Sequence, residues 1–509
     1  MKIFSSDEIN AIQQYTLHDQ GISTRHLIEN IGESLALEII TNIIPEHRLV
    51  IFAGPDLNGA YALTAARHLC LQGFHPQAYL FNIGGNKATA ECVAARDRLL
   101  EDCGDQVLTE ITSLRFVMPD LTGDVTIIDG IFGTERQTPL SGGYQSIVRY
   151  INDTGARIIA LDVPSGLLAD STKSLINRNI IHATLTLAIG MPRVGFFMRE
   201  NAELLGKWKV IPVDFSQVAL ERAPWKYRLT EKAEVRMMLP PRDPFGSKAD
   251  FGDVCLFAGS YGMMGAAVLC ARGALRGGCG KVTVHAPKCG YVIMQSAVPA
   301  ALYESDSGDL AINRIELRRN YKAVALGPGM GTADATIDTL EAFLKTANAN
   351  SRPLVLDADA LNCIAIRPAL IDCIPVKSVI TPHPGEFDRL FGRQHSSYAR
   401  LLKAIEIAQK HSIIIVLKGH FTAICRPDGK VVFNPTGSSA LATGGSGDVL
   451  TGLIASLIAQ GLAPELAAIA GPYIHGLAGE LAAQQHGTYG TTAEDIAEFI
   501  GRAIKSIMD

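Results

Sequence analysis

The sequence predicts an α/β protein of two domains, each a largely parallel sheet with helices on both faces, and three observations predict it. At 509 residues the chain is longer than one ordinary core organises. Its 47% apolar and 19% charged residues, with 48 glycines, fit a globular α/β chain rather than a disordered or fibrous one. Short β-branched runs, apolar on both faces, alternate with helical patterns and end in Gly, Pro or Asp.

In chain order, the first half offers the strands RLVIFAGP (48–55), DVTIIDGIFG (124–133), ARIIALDVPSG (156–166) and ATLTLAIG (183–190). A run such as IIALDV has no polar face to leave in water, as expected of a parallel strand covered on both sides. Polar and flexible residues therefore collect at the strand C-termini, the edge where open α/β sheets receive ligands. A closing strand, WKVIPVD (208–214), gives way to a charged segment and then Pro240–Pro241. The boundary is expected within 216–235, with domains at 1–220 and 225–509. The rhythm restarts with DVCLFAGS, GKVTVHAP, KAVALGPG, PLVLDAD, KSVITPHPGE and SIIIVLKG, and no obvious repeat relates the halves.

The formal net charge is −5 with no Lys/Arg-rich run, so neither nucleic acid nor an anionic membrane is an expected partner. The N-terminus is polar where a signal peptide needs an apolar core, and no run nears the roughly 18 apolar residues of a membrane span. The ten cysteines are scattered with no CxxC pair, several inside apolar runs where cysteine packs as a small hydrophobe. Reduced thiols and a cytoplasmic location are expected.

Four glycine-bearing turns in the second half follow strands: FAGSYGMMGAA (257–267), LGPGMGT (326–332), VLKGHFT (416–422) and ATGGSGDVLTG (442–452). One such turn means little, because tight βα connections favour glycine anyway; four in one domain point to a ligand. In the last, small residues expose consecutive N–H groups at the start of a helix, a site for a phosphoryl group or a developing anion. Asp448 cannot itself bind phosphate there, since like charges repel. It can take the proton of a hydroxyl that attacks the held phosphoryl. A bare helix cap is the alternative, although a cap does not call for GGSG before it.

GGSGD at a helix start is similar to the anion-hole signature of the ribokinase-like superfamily. The set FGDVCLFAGSYGMMGAAVLCARGALRGGCGKVTV, LGPGMGT, LVLDADALN, ITPHPGEFDRLFG, VLKGHFTAI and TGSSALATGGSGDVLTG, from about residue 225 onward, resembles the ADP-dependent (S)-NAD(P)HX dehydratase half of the bifunctional NAD(P)H-hydrate repair enzymes. The resemblance implies a ribokinase-like α/β domain that phosphorylates the hydroxyl of a hydrated NADH or NADPH from ADP and eliminates phosphate, leaving AMP. By position, Asp448 matches the catalytic aspartate and Gly444, Gly445 and Gly447 the anion hole. Ala266, Gly331, His383 and Asp448 match substrate contacts, and Lys418, Gly419, His420, Phe421, Thr422 and Gly447 the nucleotide-binding positions. Lys248 matches the lysine of an HKGxxG motif from which Ser247 and Ala249 depart. His383 could instead be a plain loop residue, and Glu386 a helix cap or a magnesium neighbour. One of Asp357 and Asp359 is expected to form a turn and the other to meet nucleotide or metal-bound water.

The first half, in LIENIG, AGPDLNGAYALTAARHL, TIIDGIFGT, LDVPSGLLAD and ATLTLAIGMPRVG, is similar to the other half of that family, the NAD(P)HX epimerase. A Rossmann-like three-layer αβα domain is implied. Asn58, Gly59, Gly133, Thr134 and Asp162 match substrate positions, with Asp162 the acid/base of epimerisation. Asn58, Asp129 and Ser165 match potassium ligands. The family loop, approximately AGPGNNGGDGLVAARHL, is altered: Asp56, Leu57, Ala60, Tyr61 and Ala62 stand at five of its positions. Further on, Glu135 replaces a glycine and Thr138 an arginine. Added Cβ atoms are expected to strain or crowd the loop, Tyr61 to fill the place of a short carboxylate, and Glu135 to repel dinucleotide phosphates. An impaired or lost epimerase follows, as either a weakened enzyme or a domain kept for packing.

The expected cofactors are ADP, with ATP possible, Mg2+ and K+; the expected partners are NAD(P)HX and further copies of the chain in a homo-oligomer. A ribokinase-like kinase that stops after phosphoryl transfer is the main alternative, and a nucleotide-sensing scaffold the non-enzymatic one.

Overall fold

The computed structural model describes residues 1–509 apart from 84–86, 114–115, 137, 171–178 and 351. The chain divides into two compact units, Ile3–Trp225 and Lys226–Asp509, the latter joined by Met1–Lys2. Among the described residues no helix is long and apolar enough to cross a membrane. All ten cysteines are free thiols.

The chain opens on a two-residue strand, β1 (Lys2–Ile3), that belongs to the larger of two sheets. Helices α1 (Ser6–Gln20) and α2 (Thr24–Asn42) follow, each started by a serine whose hydroxyl accepts a first-turn N–H. Then come β2 (Arg48–Ala53), α3 (Leu57–Leu71), β3 (Gln77–Phe81), α4 (Ala90–Cys103), β4 (Leu108–Ile111), β5 (Val125–Gly130), α5 (Gly143–Asp153), β6 (Arg157–Leu161), β7 (Leu185–Ile189), α6 (Ala202–Leu205), β8 (Lys207–Ile211) and α7 (Gln217–Arg222). The sheet runs β4-β3-β2-β5-β6-β7-β8 with every pairing parallel. Successive residues of one strand feed different cores: Leu49, Ile51 and Ala53 join one apolar cluster, Val50 and Phe52 another. Both faces are thus buried, which gives the expected three layers. The order in which strands are laid down reverses between β2 and β5, so the loops following these two parallel strands open side by side.

The second unit contains β9 (Tyr227–Leu229), α8 (Lys232–Met238), β10 (Asp253–Phe257), α9 (Met264–Arg276), β11 (Lys281–Ala286), α10 (Tyr291–Ala297), β12 (Leu302–Ser305), β13 (Ala323–Leu326), α11 (Asp334–Ala349), β14 (Val355–Leu356) and α12 (Ala358–Ile366). It continues with β15 (Val379–Ile380), α13 (Pro384–Phe391), α14 (Ser397–His411), β16 (Ile414–Leu417), β17 (Ala423–Cys425), β18 (Val431–Phe433), α15 (Ser446–Ala459), α16 (Pro464–His486) and α17 (Ala493–Met508). Its sheet is ordered β1-β9-β18-β17-β16-β15-β14-β13-β10-β11-β12. It is parallel from β12 through β16 and antiparallel across β16-β17-β18. Here the reversal lies between β10 and β13.

Helix α15 lies against α9 at backbone range. A Cβ on Gly452 would stand 1.9 Å from the Cys270 carbonyl oxygen, and one on Gly273 would stand 2.3 Å from that of Val449. This crossing, not the loop alone, fixes where the N-terminus of α15 points.

Candidate active site

The GGSGD segment folds as a left-handed turn into α15. Gly445, at φ 88°, is the N-cap, and its missing side chain makes room for Leu269, 2.2 Å from where a Cβ would sit. Asp448 is then the third helical residue, in the first turn of α15 rather than at its N-cap. Gly447 has a Cβ position only 3.1 Å from Lys418 Nζ, which lets the ammonium reach the helix start. Gly444 has nothing within 4 Å, so its smallness answers to no packing demand.

Beneath the loop lies a polar network. Asp357, fully buried at the end of β14, accepts from Lys418 Nζ at 3.0 Å and from Thr451 Oγ1 at 2.7 Å. Glu386 Oε2 is 3.8 Å from the same ammonium. Burial alone would lower the Lys418 pKa, yet Asp357 and Glu386 outweigh it and hold it above the usual lysine value. Burial pushes the Asp448 carboxyl up to about 7, and Asp357 adds to the rise while Lys418 opposes it. A carboxyl with that pKa can exchange a proton at neutral pH.

His383 caps α13, its Nδ1 accepting from Gly385 N at 3.0 Å, while Glu386 returns the bond to His383 N at 2.8 Å. Glu386 is therefore a capping carboxylate. Asp359 accepts from the Gly331 N–H at 2.9 Å, and a Cβ on Gly329 would meet that of Ala266 at 3.0 Å. The loops after β10 and β13 so form one wall carrying Ala266 and Gly331, to which Asp359 is bonded. A cleft of about 960 Å³ is lined by His383, Lys418, Gly419, His420, Thr422 and Gly447 among others. Gly444, Gly445, Phe421, Ala266, Gly331 and Asp448 do not line it. Lys248 sits on an exposed turn whose carbonyl oxygen would lie 1.8 Å from a Cβ on Gly280.

In the first unit the loops after β2, β5 and β6 converge. Asp129 is buried, accepting from Ser165 Oγ at 2.5 Å and Ser165 N at 2.8 Å, and burial pushes its carboxyl up to about 6. Asn58 donates to the Leu161 carbonyl at 3.2 Å, while its buried Oδ1 has no partner. Asp162 adopts φ 64°, a strained conformation for a residue with a side chain. Its carboxylate accepts from Thr134 N at 3.0 Å and Thr134 Oγ1 at 2.7 Å and pairs with the buried Arg193 at 3.1 Å.

Two models of known families match the chain: the NAD(P)H-hydrate dehydratase over residues 254–502 and the YjeF-related protein N-terminus over 24–195. The bifunctional NAD(P)H-hydrate repair enzyme Nnr of Thermofilum pendens is 31% identical, across 100% of this chain and 97% of its own length. The chain belongs to the bifunctional NAD(P)H-hydrate repair enzyme family. The relative from Moorella thermoacetica is likewise 31% identical with 100% and 97% coverage. A solved ADP/ATP-dependent NAD(P)H-hydrate dehydratase from Bacillus subtilis, co-crystallised with ATP/Mg2+, is 31% identical and spans 55% of this chain and 98% of its own, at a TM-score of 0.48.

Within this repair-family chain the altered first loop departs from the strain expected of it. Residues 57–71 are helical, and neither Ala60 nor Ala62 is among the side-chain-bearing residues at positive φ. Their methyl groups cost no backbone strain. The glycines that do matter remain: a Cβ on Gly54 or Gly59 would lie 1.7 or 1.8 Å from a carbonyl oxygen. Tyr61 is buried in the apolar core shared by α2 and α3, and that burial raises its pKa.

Residues absent from the sequence reading complete both sites. His475 of α16, buried and pushed down to about 4 by that burial, meets Ser446 Oγ at 3.3 Å and lines the cleft as a neutral imidazole. Glu480, one turn further on, accepts from Gly437 N at 2.7 Å. The signal was the polar pair in YIHGLAGE, an otherwise apolar helical run. Arg193 offered only a lone basic residue after a strand.

Proposed function

We propose that this chain repairs hydrated NADH and NADPH, the C-terminal unit dehydrating (S)-NAD(P)HX at the expense of ADP. The observation that carries the reading is Asp448, a carboxyl poised near neutrality at the start of α15, next in sequence to the cleft-lining Gly447 and electrostatically coupled to Lys418. The N–H groups of the GGSG turn and the helix end stabilise the transferring phosphoryl. Asp448 takes the proton of the substrate hydroxyl as its oxygen bonds to the β-phosphorus and AMP leaves; breaking the C–O bond to phosphate, with loss of a proton from the neighbouring ring carbon, then restores the ring double bond. Lys418 through Thr422 and Gly447 take the nucleotide, with His383 and Asp448 facing the dinucleotide. Mg2+ neutralises phosphoryl charge in such a transfer. Among the described residues no group of three or more His, Cys, Asp or Glu is set to hold a metal, which suits an ion carried chiefly by phosphates and water.

In the N-terminal unit the orphaned Asn58 Oδ1, the Asp129 carboxyl and the Ser165 hydroxyl are hard oxygen donors that suit K+. Asp162 is the proton-transfer group of an R/S epimerisation weakened in this chain. We place the enzyme in the cytoplasm as a homo-oligomer.

The test is a mixture of (R)- and (S)-NADHX with ADP and Mg2+, followed by the return of NADH absorbance. A fast phase ending near the S fraction, then a creep at the spontaneous epimerisation rate, is expected. Rapid complete recovery overturns the weakened epimerase. A stable phosphorylated product made from ATP, with no NADH, would make the unit a kinase.

A further inference from the structure

The loop after β5 points four consecutive backbone N–H groups toward the crevice at the sheet's reversal, and the protein's own acceptors take all four. Ile131 N donates to Asp129 at 3.3 Å and Phe132 N to Ser165 Oγ at 2.9 Å. Gly133 N donates to Glu135 Oε1 at 3.0 Å and Thr134 N to Asp162 Oδ2 at 3.0 Å. Three of these acceptors sit on elements that build the crevice; Glu135 is different, because it bends back over its own turn. Although Glu135 is an exposed residue, its Oε2 lies only 2.6 Å from where a Cβ on Gly133 would be. Asp162 Oδ2 and Asn58 Cγ lie 3.0 and 3.2 Å from that same point.

A carboxylate that accepts a loop N–H at a sheet's switch point does what a ligand phosphate does there. It also brings a negative charge next to Asp162 and Asp56, two carboxylates that face it, so an incoming phosphate meets repulsion as well as an occupied donor. In the GGSG turn of the other unit, by contrast, the Cβ position of Gly444 faces open space.

We infer that Glu135 is a built-in anion that occupies the Gly133 N–H in place of a dinucleotide phosphate and thereby keeps the N-terminal crevice from binding NAD(P)HX. The inference rests on reading that unit as a hydrate epimerase for its substrate, but not for its geometry. Glu135→Gly frees the donor and removes the charge; Glu135→Gln removes the charge and keeps the bulk.

The test uses the full-length chain and two readouts. Titration calorimetry with NADPH as the probe counts dinucleotide sites, and chromatography follows R/S equilibration of NADHX without ADP. The wild type should show one NADPH site and near-spontaneous equilibration. Glu135→Gly should gain a second site and equilibrate at least tenfold faster, with Glu135→Gln between. The calorimetric unfolding transition of the N-terminal unit, unchanged in all three, shows that each variant is folded there, and unchanged dehydration of (S)-NADHX with ADP shows that the other unit is intact. A second site without faster equilibration supports the occupied donor and overturns the epimerase reading. One site in Glu135→Gly, or two already in the wild type, overturns the inference about Glu135.

Discussion

Asp448 carries two opposing demands, and both are measurable. As a base it works only when ionised, so kcat should climb with pH through about 7 and level off above it. Asp448→Asn should lower kcat by about 10²–10⁴-fold with KM for ADP little changed. The same carboxyl costs stability. Its pKa is near 7 when folded against the ordinary 3.8, so the native state holds the proton more tightly. That contribution is full below about pH 4 and is lost as pH rises to 7. Asp448→Asn should therefore stabilise the ligand-free protein at pH 8, by about 1–3 kcal/mol in a denaturant melt. Lys418→Met acts in the other direction: it strands the buried Asp357 with only Thr451 as partner, for a loss of about 2–4 kcal/mol. It also removes the cation that opposes the Asp448 shift, so the kcat–pH midpoint should move upward.

At the scale of elements, the α9–α15 crossing decides where the anion-binding turn sits. Gly452→Ala would drive a methyl into the Cys270 carbonyl and part the helices, costing roughly 2–3 kcal/mol and most of the activity. Gly444→Ala adds a methyl to open space at an unstrained position, so its melting curve should stay within about 0.5 kcal/mol of the wild type. Any loss of activity in Gly444→Ala with an unchanged melt would then report ligand approach rather than folding. Helix α16 has a comparable role through side chains. His475 holds the turn at Ser446, and Glu480 holds the loop at Gly437, so one helix aligns two walls of the cleft.

For the whole molecule, two compact units with separate cores predict two unfolding transitions in calorimetry. AMP or ADP should raise only the transition of the C-terminal unit, by about 2.7 kcal/mol at a hundredfold excess over Kd. K+ in place of Na+ should raise only the other. A single transition moved by both ligands would show that the units unfold as one.

Fold class was legible in the sequence because it depends on local pattern: runs such as IIALDV, apolar at every position, admit few arrangements other than a strand covered on both faces. The geometry of the GGSGD turn was legible for a similar reason, since the positive φ at Gly445 and a carboxyl three residues on, in the first helical turn, are properties of one short segment. What the tertiary structure alone decided lies between distant segments. The Asp357–Lys418 pair, the Ser446–His475 contact and the turn of Glu135 onto Gly133 N–H each depend on which side chains meet once the chain has packed. The altered first loop illustrates the difference. Replaced glycines suggested a strained backbone, but φ and free space are set by the helix that residues 57–71 form, and there alanine fits. Sequence order lists the groups available for chemistry; only packing sets their partners, and partners set pKa, charge and which donors stay open.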